Sequence, residues 1–359
     1  MHIGIVGAGP AGCYAAYILA EAGIHVSVYE EHTSIGEPPH CAGIVTESIK
    51  KILEIPDSII VNRITKARIY APNHRCIEFN LKNPNLILDR IKFDKWLGEK
   101  AELAGAQFFF GHTFIEYKNR EMTVKHIGSL IKIKTDYLIG ADGPYSAVAQ
   151  SLNLLKNRKF WQGVQVRIKL NNVNSVEFYP YIGTFAWIIP ENASIVRIGL
   201  LAKKDAYPLL KKFIQEKAPK SKIINKQAGL VPVYDPHLQT QKGRVYLIGD
   251  AATQVKATSG GGIIQALIAS QCVAQAILKK KNYEKIWRKK IALDLFLHLR
   301  MRKILDKFSD KDYNYLTYLV NQKKIRSILE KFDRDYPAQF LFRMMLKEPR
   351  FLYFIKKVL

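Results

Sequence analysis

The stretch HIGIVGAGPAGCYAAYILA, residues 2–20, decides the fold of this chain. Residues 2–7 have the pattern of a short apolar strand, and residues 11–22 have the small side chains of a closely packed helix. Between them, Gly7, Gly9 and Gly12 have the spacing G-x-G-x-x-G. In that motif the glycines allow a tight turn, a close approach to a pyrophosphate, and close helix–strand packing. The stretch therefore predicts a dinucleotide-binding strand–turn–helix unit.

An acidic residue at the end of the next strand pattern strengthens this interpretation. Glu30 closes the alternating run IHVSVYE, residues 24–30. A carboxylate in this place accepts hydrogen bonds from ribose hydroxyls. A free 2′-hydroxyl favours FAD or NAD over NADP.

Two later strand patterns, which end in Gly-Asp turns, indicate whether the bound dinucleotide is FAD or NAD. They are DYLIGADGPYSAV, residues 136–148, and RVYLIGDAATQVKATSGGGI, residues 244–263. In flavoproteins a late aspartate such as Asp250 binds a ribityl hydroxyl, and a glycine-rich helix start presents N–H groups to the pyrimidine edge of the flavin. The three motifs in this order predict FAD.

The composition describes a folded globular protein of several domains. The 359 residues are 48% apolar and 24% charged. Strand patterns interrupt a βαβ framework, so we expect an α/β fold in which a Rossmann-like domain and a β-sheet domain are interleaved. The predicted parts are an FAD-binding domain (1–62, 84–158 and 236–280), a β-rich substrate domain (63–83 and 159–235) and a basic helical region (281–359).

The four cysteines, Cys13, Cys41, Cys76 and Cys272, are scattered along the chain. They form no C-x-x-C pair and no set with zinc-like spacing, so we expect neither disulfides nor a metal site, and a cytoplasmic protein. No signal peptide is expected, because the first residues already have a strand pattern. No membrane-spanning segment is expected either, because the longest uncharged window, residues 257–278, is interpreted as a buried helix.

The positive charge is concentrated near the carboxyl end. The net charge is +24, and the last 81 residues contribute +13 of it. Solubility explains such a surface, as does contact with an acidic protein or an anionic membrane; nucleic acid is not expected, because no nucleic-acid-binding motif accompanies the charge. Aromatic and cationic residues alternate in YPAQFLFRMMLKEPRFLYFIKKVL, residues 336–359, which favours peripheral contact with the inner face of the cell membrane, although helical packing explains its apolar half nearly as well.

The motifs together resemble a known group of flavoproteins. GAGPAG, Glu30, Arg90 in DRIKFDKWL, GADGPYSAV and IGDAA…GGGI resemble the p-hydroxybenzoate-hydroxylase-like FAD proteins. Within that group, EEHTSIGEPPHCAGIV and FAWIIP resemble the geranylgeranyl reductases, in particular the archaeal digeranylgeranylglycerophospholipid reductases. The resemblance covers roughly residues 1–280.

This resemblance implies a set of cofactor contacts. Arg90 is expected to face the pyrophosphate, and Phe114 to contact the adenine side through its backbone. The implied FAD contacts are Ala11, Glu30, Cys41, Ala42, Arg90, Phe114, Asp250, Gly262 and Ile263, to which the glycine motifs and the Cys41 loop add Gly7, Gly9, Gly12, Gly43, Gly260 and Gly261.

The substrate-side motif departs from the family pattern. The family has Tyr-x-Trp-x-Phe-Pro where this chain has FAWIIP, residues 185–190. Phe185 and Trp187 alternate along a strand and share one face, as a wall of a substrate tunnel or as ordinary core. Either Tyr179 or Tyr181 replaces the missing tyrosine hydroxyl, or the hydroxyl is not needed; we include Tyr181 in the predicted substrate site.

The implied activity is that of an FAD-dependent oxidoreductase acting on CH–CH groups. It would saturate double bonds in geranylgeranyl or other isoprenoid chains of membrane lipids, with hydride from flavin N5 and a proton to the other carbon. A flavin monooxygenase or halogenase on the same fold is the alternative, and a flavin-binding electron-transfer or sensor protein without its own substrate is a third interpretation.

Three roles around this activity stay open in the sequence. Cys41 is either the proton donor or substrate-positioning group, since a thiol is protonated at neutral pH, or a small packing residue beside the flavin. The electron donor is NAD(P)H, a ferredoxin or a reduced quinone. Lys256, in the turn before the glycine triplet, either meets anionic groups or faces solvent, and we expect it to face solvent.

Overall fold

The computed structural model describes residues 1–154 and 158–357, and it forms three sheets within those ranges. The strands in chain order are β1 (His2–Val6), β2 (His25–Glu30), β3 (Ile44–Val45), β4 (Ile60–Tyr70), β5 (Cys76–Leu88), β6 (Gln107–Phe110), β7 (Thr113–Lys118), β8 (Glu121–His126), β9 (Ser129–Lys134), β10 (Tyr137–Gly140), β11 (Phe160–Lys169), β12 (Ser175–Tyr179), β13 (Phe185–Asn192), β14 (Ile195–Ala202), β15 (Ile223–Pro232), β16 (Gln241–Lys242) and β17 (Val245–Leu247).

The helices lie between these strands in the first part of the chain and follow one another after residue 262. They are α1 (Pro10–Glu21), α2 (Arg90–Leu103), α3 (Ala147–Ser151), α4 (Ala206–Lys217), α5 (Ile263–Leu278), α6 (Tyr283–Trp287), α7 (Leu293–Leu305), α8 (Asp310–Val320), α9 (Lys323–Lys331), α10 (Leu341–Lys347) and α11 (Leu352–Ile355).

The six-stranded sheet has the order β16-β17-β10-β1-β2-β6, and all of its pairs except β16–β17 are parallel. Apolar residues of β1 and β2, such as Ile5 and Val28, are fully buried, as expected for a parallel sheet covered on both faces. The carboxyl ends of β1, β2, β10 and β17 meet at one edge, which brings the three sequence motifs that follow these strands together.

The eight-stranded sheet has the order β15-β11-β14-β13-β12-β4-β5-β3 and is antiparallel except at β4–β12. One face of β13 carries Trp187 and Ile189 into the main core, and the other face carries Ala186 and Ile188 into a second core that includes α4 residues. Its strands come from residues 44–88 and 160–232, so the two large sheets alternate along the chain. The assignment of the sheets to cofactor and substrate domains stays a prediction.

The predicted mixed α/β fold with a helical carboxyl-terminal region is confirmed. Helices α6 to α11 make up that region, and α8 and α9 contact β5 of the eight-stranded sheet. In the two described stretches of chain, no helix has the length and apolar character required to span a bilayer.

Candidate cofactor-binding and active site

The turn between β1 and α1 is closely packed at two of its glycines and open at the third. Gly7 has a φ of +99°, and a Cβ built on Gly12 would overlap the carbonyl oxygen of Gly7. Gly9, by contrast, has no heavy atom within 4 Å of a built Cβ. This turn therefore offers an open backbone surface at the amino end of α1, where the helix dipole favours an anionic group.

Glu30 lies beside this turn at the end of β2. Its Oε2 accepts the backbone N–H of Ala8 at 2.7 Å, and its Oε1 accepts from the backbone and the Nδ1 of His32 at 3.0 and 2.6 Å. The side chain of Phe114 is buried in the core of the three-stranded sheet. The structure thus brings Glu30 to the glycine turn, while the Phe114 side chain points into a core.

The two Gly-Asp turns have different environments. The Asp142 carboxylate is engaged within its own turn, where it accepts from Ser146 Oγ at 2.7 Å and from the Val148 N–H at 2.9 Å. The carboxylate of Asp250 accepts no hydrogen bond from the residues that the structure describes. Burial raises its pKa to about 6, against the opposing charges of Arg90 and Arg158. A half-buried aspartate without an internal donor is suited to accept hydrogen bonds from a ligand hydroxyl.

Asp250 lies close to both glycine motifs. A Cβ on Gly249 would lie 3.2 Å from Ala11 Cβ, and one on Gly262 would lie 3.3 Å from Asp250 Oδ1. Helix α5 begins directly after Gly262, at Ile263, and the Ser270 hydroxyl of this helix donates to the Ala11 carbonyl at 2.8 Å. The predicted residues Ala11, Asp250, Gly262 and Ile263 therefore lie together at one end of the six-stranded sheet.

The loop of Cys41 lies against the start of α2. Arg90, the first residue of α2, donates to Asp94 at 3.1 and 2.8 Å and lies beside the Cys41 thiol. Burial alone lowers the pKa of Arg90, but Asp94 and Cys41 raise it well above its usual range, so the guanidinium stays charged. Cys41 Sγ accepts the Gly43 N–H at 3.4 Å, and Gly43 has a φ of +70°.

Phe185 and Trp187 lie on one face of β13, and their ring centroids are 6.2 Å apart. The Trp187 indole covers Gly199 and donates to Gln165 Oε1 at 2.9 Å. Leu201, the strand partner of Phe185, lies next to Gly260, where a built Cβ would be 2.6 Å from Leu201 Cδ1. An apolar strand face therefore adjoins the glycine-rich turn before α5.

The structure does not bring Tyr181 into this group. Its ring packs with Tyr179 and Tyr313, against the second core of the eight-stranded sheet. The Tyr179 hydroxyl donates to Glu177 at 2.5 Å. Tyr179 pairs with Ala186 of β13, whose side chain lies on the face opposite Trp187, so these tyrosines pack on the side of the sheet away from Trp187.

The prediction that Lys256 faces solvent is wrong. Lys256 is 7% exposed, and its ammonium pairs with Asp335, which is 1% exposed and comes from the carboxyl-terminal region. The backbone of Lys256 holds the glycine-rich turn, since its N–H donates to the Gly261 carbonyl at 3.0 Å and its carbonyl accepts from the Gly260 N–H at 2.8 Å. Asp335 also accepts from the Thr46 hydroxyl at 3.2 Å.

Sequence reasoning missed three further residues of the site. Arg158 joins the two Gly-Asp turns, because it donates to the carbonyls of Pro144 and Ala251 at 2.6 and 2.7 Å. Asp335 holds Lys256, and Arg197 bonds the backbone of the Cys41 loop. None of the three belongs to a local motif, so no sequence signal distinguishes them from surface charges.

The residues present fit FAD. The glycine turn leaves open space at Gly9, and Asp250 has an unengaged carboxylate facing two arginines. A family model described as an FAD binding domain matches residues 1–181.

Relatives with a reductase name extend over the chain. The digeranylgeranylglycerophospholipid reductase of Methanocaldococcus jannaschii is 30% identical, over 99% of this chain and 97% of that protein. The protein of the same name from Methanothrix thermoacetophila is 27% identical, over 89% and 91%.

Solved structures share the fold. A geranylgeranyl bacteriochlorophyll reductase-like protein from Thermoplasma acidophilum has a TM-score of 0.85 at 21% identity, covering 100% of this chain and 99% of that one. A flavin-dependent brominase has a TM-score of 0.71 at 16% identity, covering 97% and 99%. Family model, relatives and fold agree with the cofactor site: the chain is an FAD-dependent oxidoreductase and belongs to the geranylgeranyl reductase family.

Proposed function

We propose that this protein saturates carbon–carbon double bonds in the isoprenoid chains of membrane lipids or their precursors. The observation that carries the proposal is the apolar face of β13, with Phe185 and Trp187, next to the glycine-rich turn of the FAD site. An apolar wall beside a redox cofactor suits an aliphatic chain. The names of the relatives support the same substrate class.

The chemistry requires a hydride and a proton. When bound, reduced FAD supplies the hydride that adds to one carbon of the double bond. An isolated alkene is not activated, so the other carbon needs a proton from a group held close to it. We propose Cys41 Sγ for this role or for positioning the substrate. Cys41 is half-buried, lies in the loop before β3, and is beside Arg90, which is proposed to bind the cofactor.

The remaining predicted FAD contacts are proposed on the same basis. Arg90 and the backbone at Gly7, Gly9, Ala11 and Gly12 would hold the pyrophosphate. Glu30 would bind the ribose and Asp250 the ribityl chain. The backbone from Gly260 to Ile263 would contact the flavin ring, and Ala42 and Gly43 would lie beside the ring. Phe114 would contribute backbone only. We propose Phe185 and Trp187 as substrate-tunnel residues, whereas Tyr181 on the opposite face of the sheet has less support.

An anaerobic single turnover tests the reaction. FAD-loaded protein is photoreduced and mixed with a geranylgeranylated glycerophospholipid, and flavin absorbance and lipid mass are followed. We expect reoxidation of the flavin together with a gain of two hydrogens per double bond. Reoxidation that needs oxygen and leaves the lipid mass unchanged would favour the monooxygenase or halogenase alternative.

The role of Cys41 is tested by substitution. Cys41→Ala should retain FAD and lose about 100-fold in the rate of lipid reduction, within the usual range for a general acid. Cys76→Ala is the matched control, because Cys76 is exposed at the start of β5. Full turnover of Cys41→Ala with bound FAD would leave Cys41 a packing residue.

We also propose that α10 and α11 contact an anionic membrane surface. Phe342 and Leu346 are one helical turn apart on α10 and are 65% and 66% exposed, and Leu352 and Tyr353 of α11 are also exposed. Exposed cations, including Arg343 and Lys347, stand next to them in the sequence. Apolar side chains flanked by cations are typical of helices that bind membrane interfaces.

Vesicle co-sedimentation tests the membrane contact. The protein should bind vesicles of anionic phospholipid and lose binding as salt is added. The double variant Phe342→Ser and Leu346→Ser should bind about tenfold more weakly, whereas Leu103→Ser, a control 89% exposed at the end of α2, should bind normally. Equal binding of all three proteins would contradict the proposal.

The electron donor is proposed to be a ferredoxin or NAD(P)H. The strongly positive net charge of the chain suits an acidic ferredoxin. Stopped-flow reduction of the flavin by each donor decides between them, and a ferredoxin reaction that slows with added salt would support the electrostatic argument.

A further inference from the structure

Arg197 of β14 is a buried cation that links the eight-stranded sheet to the Cys41 loop. It is 7% exposed, and its Nε donates to Glu191 Oε1 at 2.7 Å. Its Nη1 donates to the carbonyl of Ala42 at 2.6 Å and to the carbonyl of Leu88 at 3.1 Å. One side chain therefore binds the residue after Cys41 and a residue two positions before Arg90.

The loop is shaped around this guanidinium. A Cβ built on Gly43 would lie 2.8 Å from Arg197 Nη1 and 2.7 Å from the Leu88 carbonyl oxygen. Gly43 therefore leaves the space that the arginine occupies. Residues 37–43 form no helix or strand, and the bonds that reach the backbone of this loop from other elements include those from Arg197 to the Ala42 carbonyl and from the Leu88 N–H to the Gly43 carbonyl.

Glu191 fixes the other end of Arg197 and also binds a second arginine. Arg167 donates to Glu191 through Nε and Nη2 at 2.8 to 3.0 Å and is 33% exposed in its side chain. Burial alone raises the pKa of Glu191, but the two arginines outweigh burial and hold it below its usual value. Both arginines thus bind the same carboxylate, and of the two it is Arg197 that also donates to the Cys41 loop.

We propose that Arg197 is a positioning residue that fixes the loop of Cys41, Ala42 and Gly43 against the start of α2, and so sets how the Cys41 thiol faces the Arg90 guanidinium. Charge-assisted hydrogen bonds to buried carbonyls are stronger than neutral ones, and their loss leaves the carbonyls without a donor. A lysine cannot replace the arginine, because one ammonium does not span Glu191 and both carbonyls. The consequence for catalysis rests on the proposed function; the positioning of the loop does not.

The test measures the alkylation rate of Cys41 at neutral pH in FAD-loaded protein. All variants carry Cys76→Ser, because Cys76 is the exposed cysteine and Cys13 and Cys272 are buried. We expect Arg197→Met and Arg197→Lys to change the alkylation rate of Cys41 about tenfold, which corresponds to ~1.4 kcal/mol in the activation free energy of alkylation. Arg167→Met is the matched control: it removes the same charge from the same carboxylate, and we expect a change of less than about twofold.

A purely structural role would lower the melting temperature without separating the two arginines in the alkylation rate. Equal rates in the Arg197 and Arg167 variants, or a wild-type rate in both, would overturn the proposal. If Arg197→Met does not fold, Arg197→Lys decides by the same comparison. Alkylation needs no lipid, so a failure of lipid reduction would reject the proposed function and leave the positioning result standing. Where lipid reduction is observed, Arg197→Lys should lower kcat more than it raises KM.

Discussion

The glycine turn of residues 7–12 and the Lys256–Asp335 pair both belong to the candidate cofactor site, but they are built differently. The glycine turn is made of backbone from one short stretch, and its requirements are steric: a positive φ at Gly7 and no room for a side chain at Gly12. The Lys256–Asp335 pair joins two side chains that are 79 residues apart, and Asp335 also binds Thr46.

The difference explains which part of the site is visible in a sequence. Steric requirements on backbone admit only glycine, so they leave a pattern. An ion pair between remote segments consists of a lysine and an aspartate, which are also the ordinary residues of a protein surface. In the sequence, the basic carboxyl-terminal region therefore resembles a solubilising surface. In the structure, however, its buried Asp335 binds Lys256 of the glycine-rich turn, and its buried Arg302 donates to the Thr184 carbonyl just before β13.

The largest effect is expected where the glycine turn has no space. Gly12→Ala should abolish FAD binding and destabilise the apoprotein, because its Cβ would overlap the Gly7 carbonyl; we expect a loss of about 3 kcal/mol or more in the free energy of unfolding. Denaturant unfolding and FAD titration measure the two effects.

Gly9→Ala is the matched control for Gly12→Ala. Its Cβ meets no protein atom within 4 Å, so the apoprotein should be as stable as wild type while FAD binds more weakly. Equal destabilisation of both variants would contradict a division between a folding glycine and a cofactor glycine.

The second effect is expected at the buried ion pair. Asp335→Asn leaves Lys256 buried without its counter-ion and should cost about 3 kcal/mol in the free energy of unfolding, with weaker FAD binding because Lys256 holds the glycine-rich turn. The double variant Lys256→Met and Asp335→Asn should recover part of this loss, which a double-mutant cycle measures.

An ion pair near the surface of the same region gives the comparison. Lys357→Met breaks the pair with Asp312. The lysine side chain is 29% exposed, and the buried Asp312 carboxylate keeps its bonds from the Ser309 N–H and hydroxyl, so the cost should be less than about 1 kcal/mol with no change in FAD affinity. If Asp335→Asn behaved like Lys357→Met, the carboxyl-terminal region would have no part in holding the glycine-rich turn.

Per pH unit, the smallest effects are opposite pH dependences at His298, which lies beside Lys256, and at Asp250, which lies beside Gly262. Burial, together with the nearby Lys256 charge, lowers the pKa of His298 from 6.5 to about 3. Between these two pH values the unfolded chain binds a proton at His298 and the folded chain does not. The free energy of unfolding therefore falls as the pH falls from 6.5 towards 3. Burial raises the pKa of Asp250 from 3.8 to about 6, so the folded chain keeps that proton longer and the free energy of unfolding falls as pH rises from 3.8 towards 6.

Two substitutions separate these slopes in the apoprotein. His298→Gln should remove a slope of up to about 1.4 kcal/mol per pH unit between pH 6.5 and 3, and Asp250→Asn should remove an opposite slope of the same size between pH 3.8 and 6. Urea unfolding at a series of pH values measures both. Identical profiles for His298→Gln and wild type would show that His298 titrates as an ordinary exposed histidine.

The sequence by itself determined the α/β fold, FAD as the cofactor and the family, because each depends on local patterns. Strand and helix periodicity, the glycine spacing and the Gly-Asp turns are requirements of backbone geometry within a few residues of each other. The shared face of Phe185 and Trp187 followed in the same way from strand alternation.

Only the tertiary structure decided which side chains meet. It separated Tyr181 from Trp187, since Tyr181 packs on the other face of the sheet, and it gave Lys256 a buried partner in Asp335. It likewise brought Arg197 to the Cys41 loop, 155 residues away from Ala42 in the chain. Such contacts depend on how remote elements pack, and a charged residue in one element carries no local mark of its partner in another.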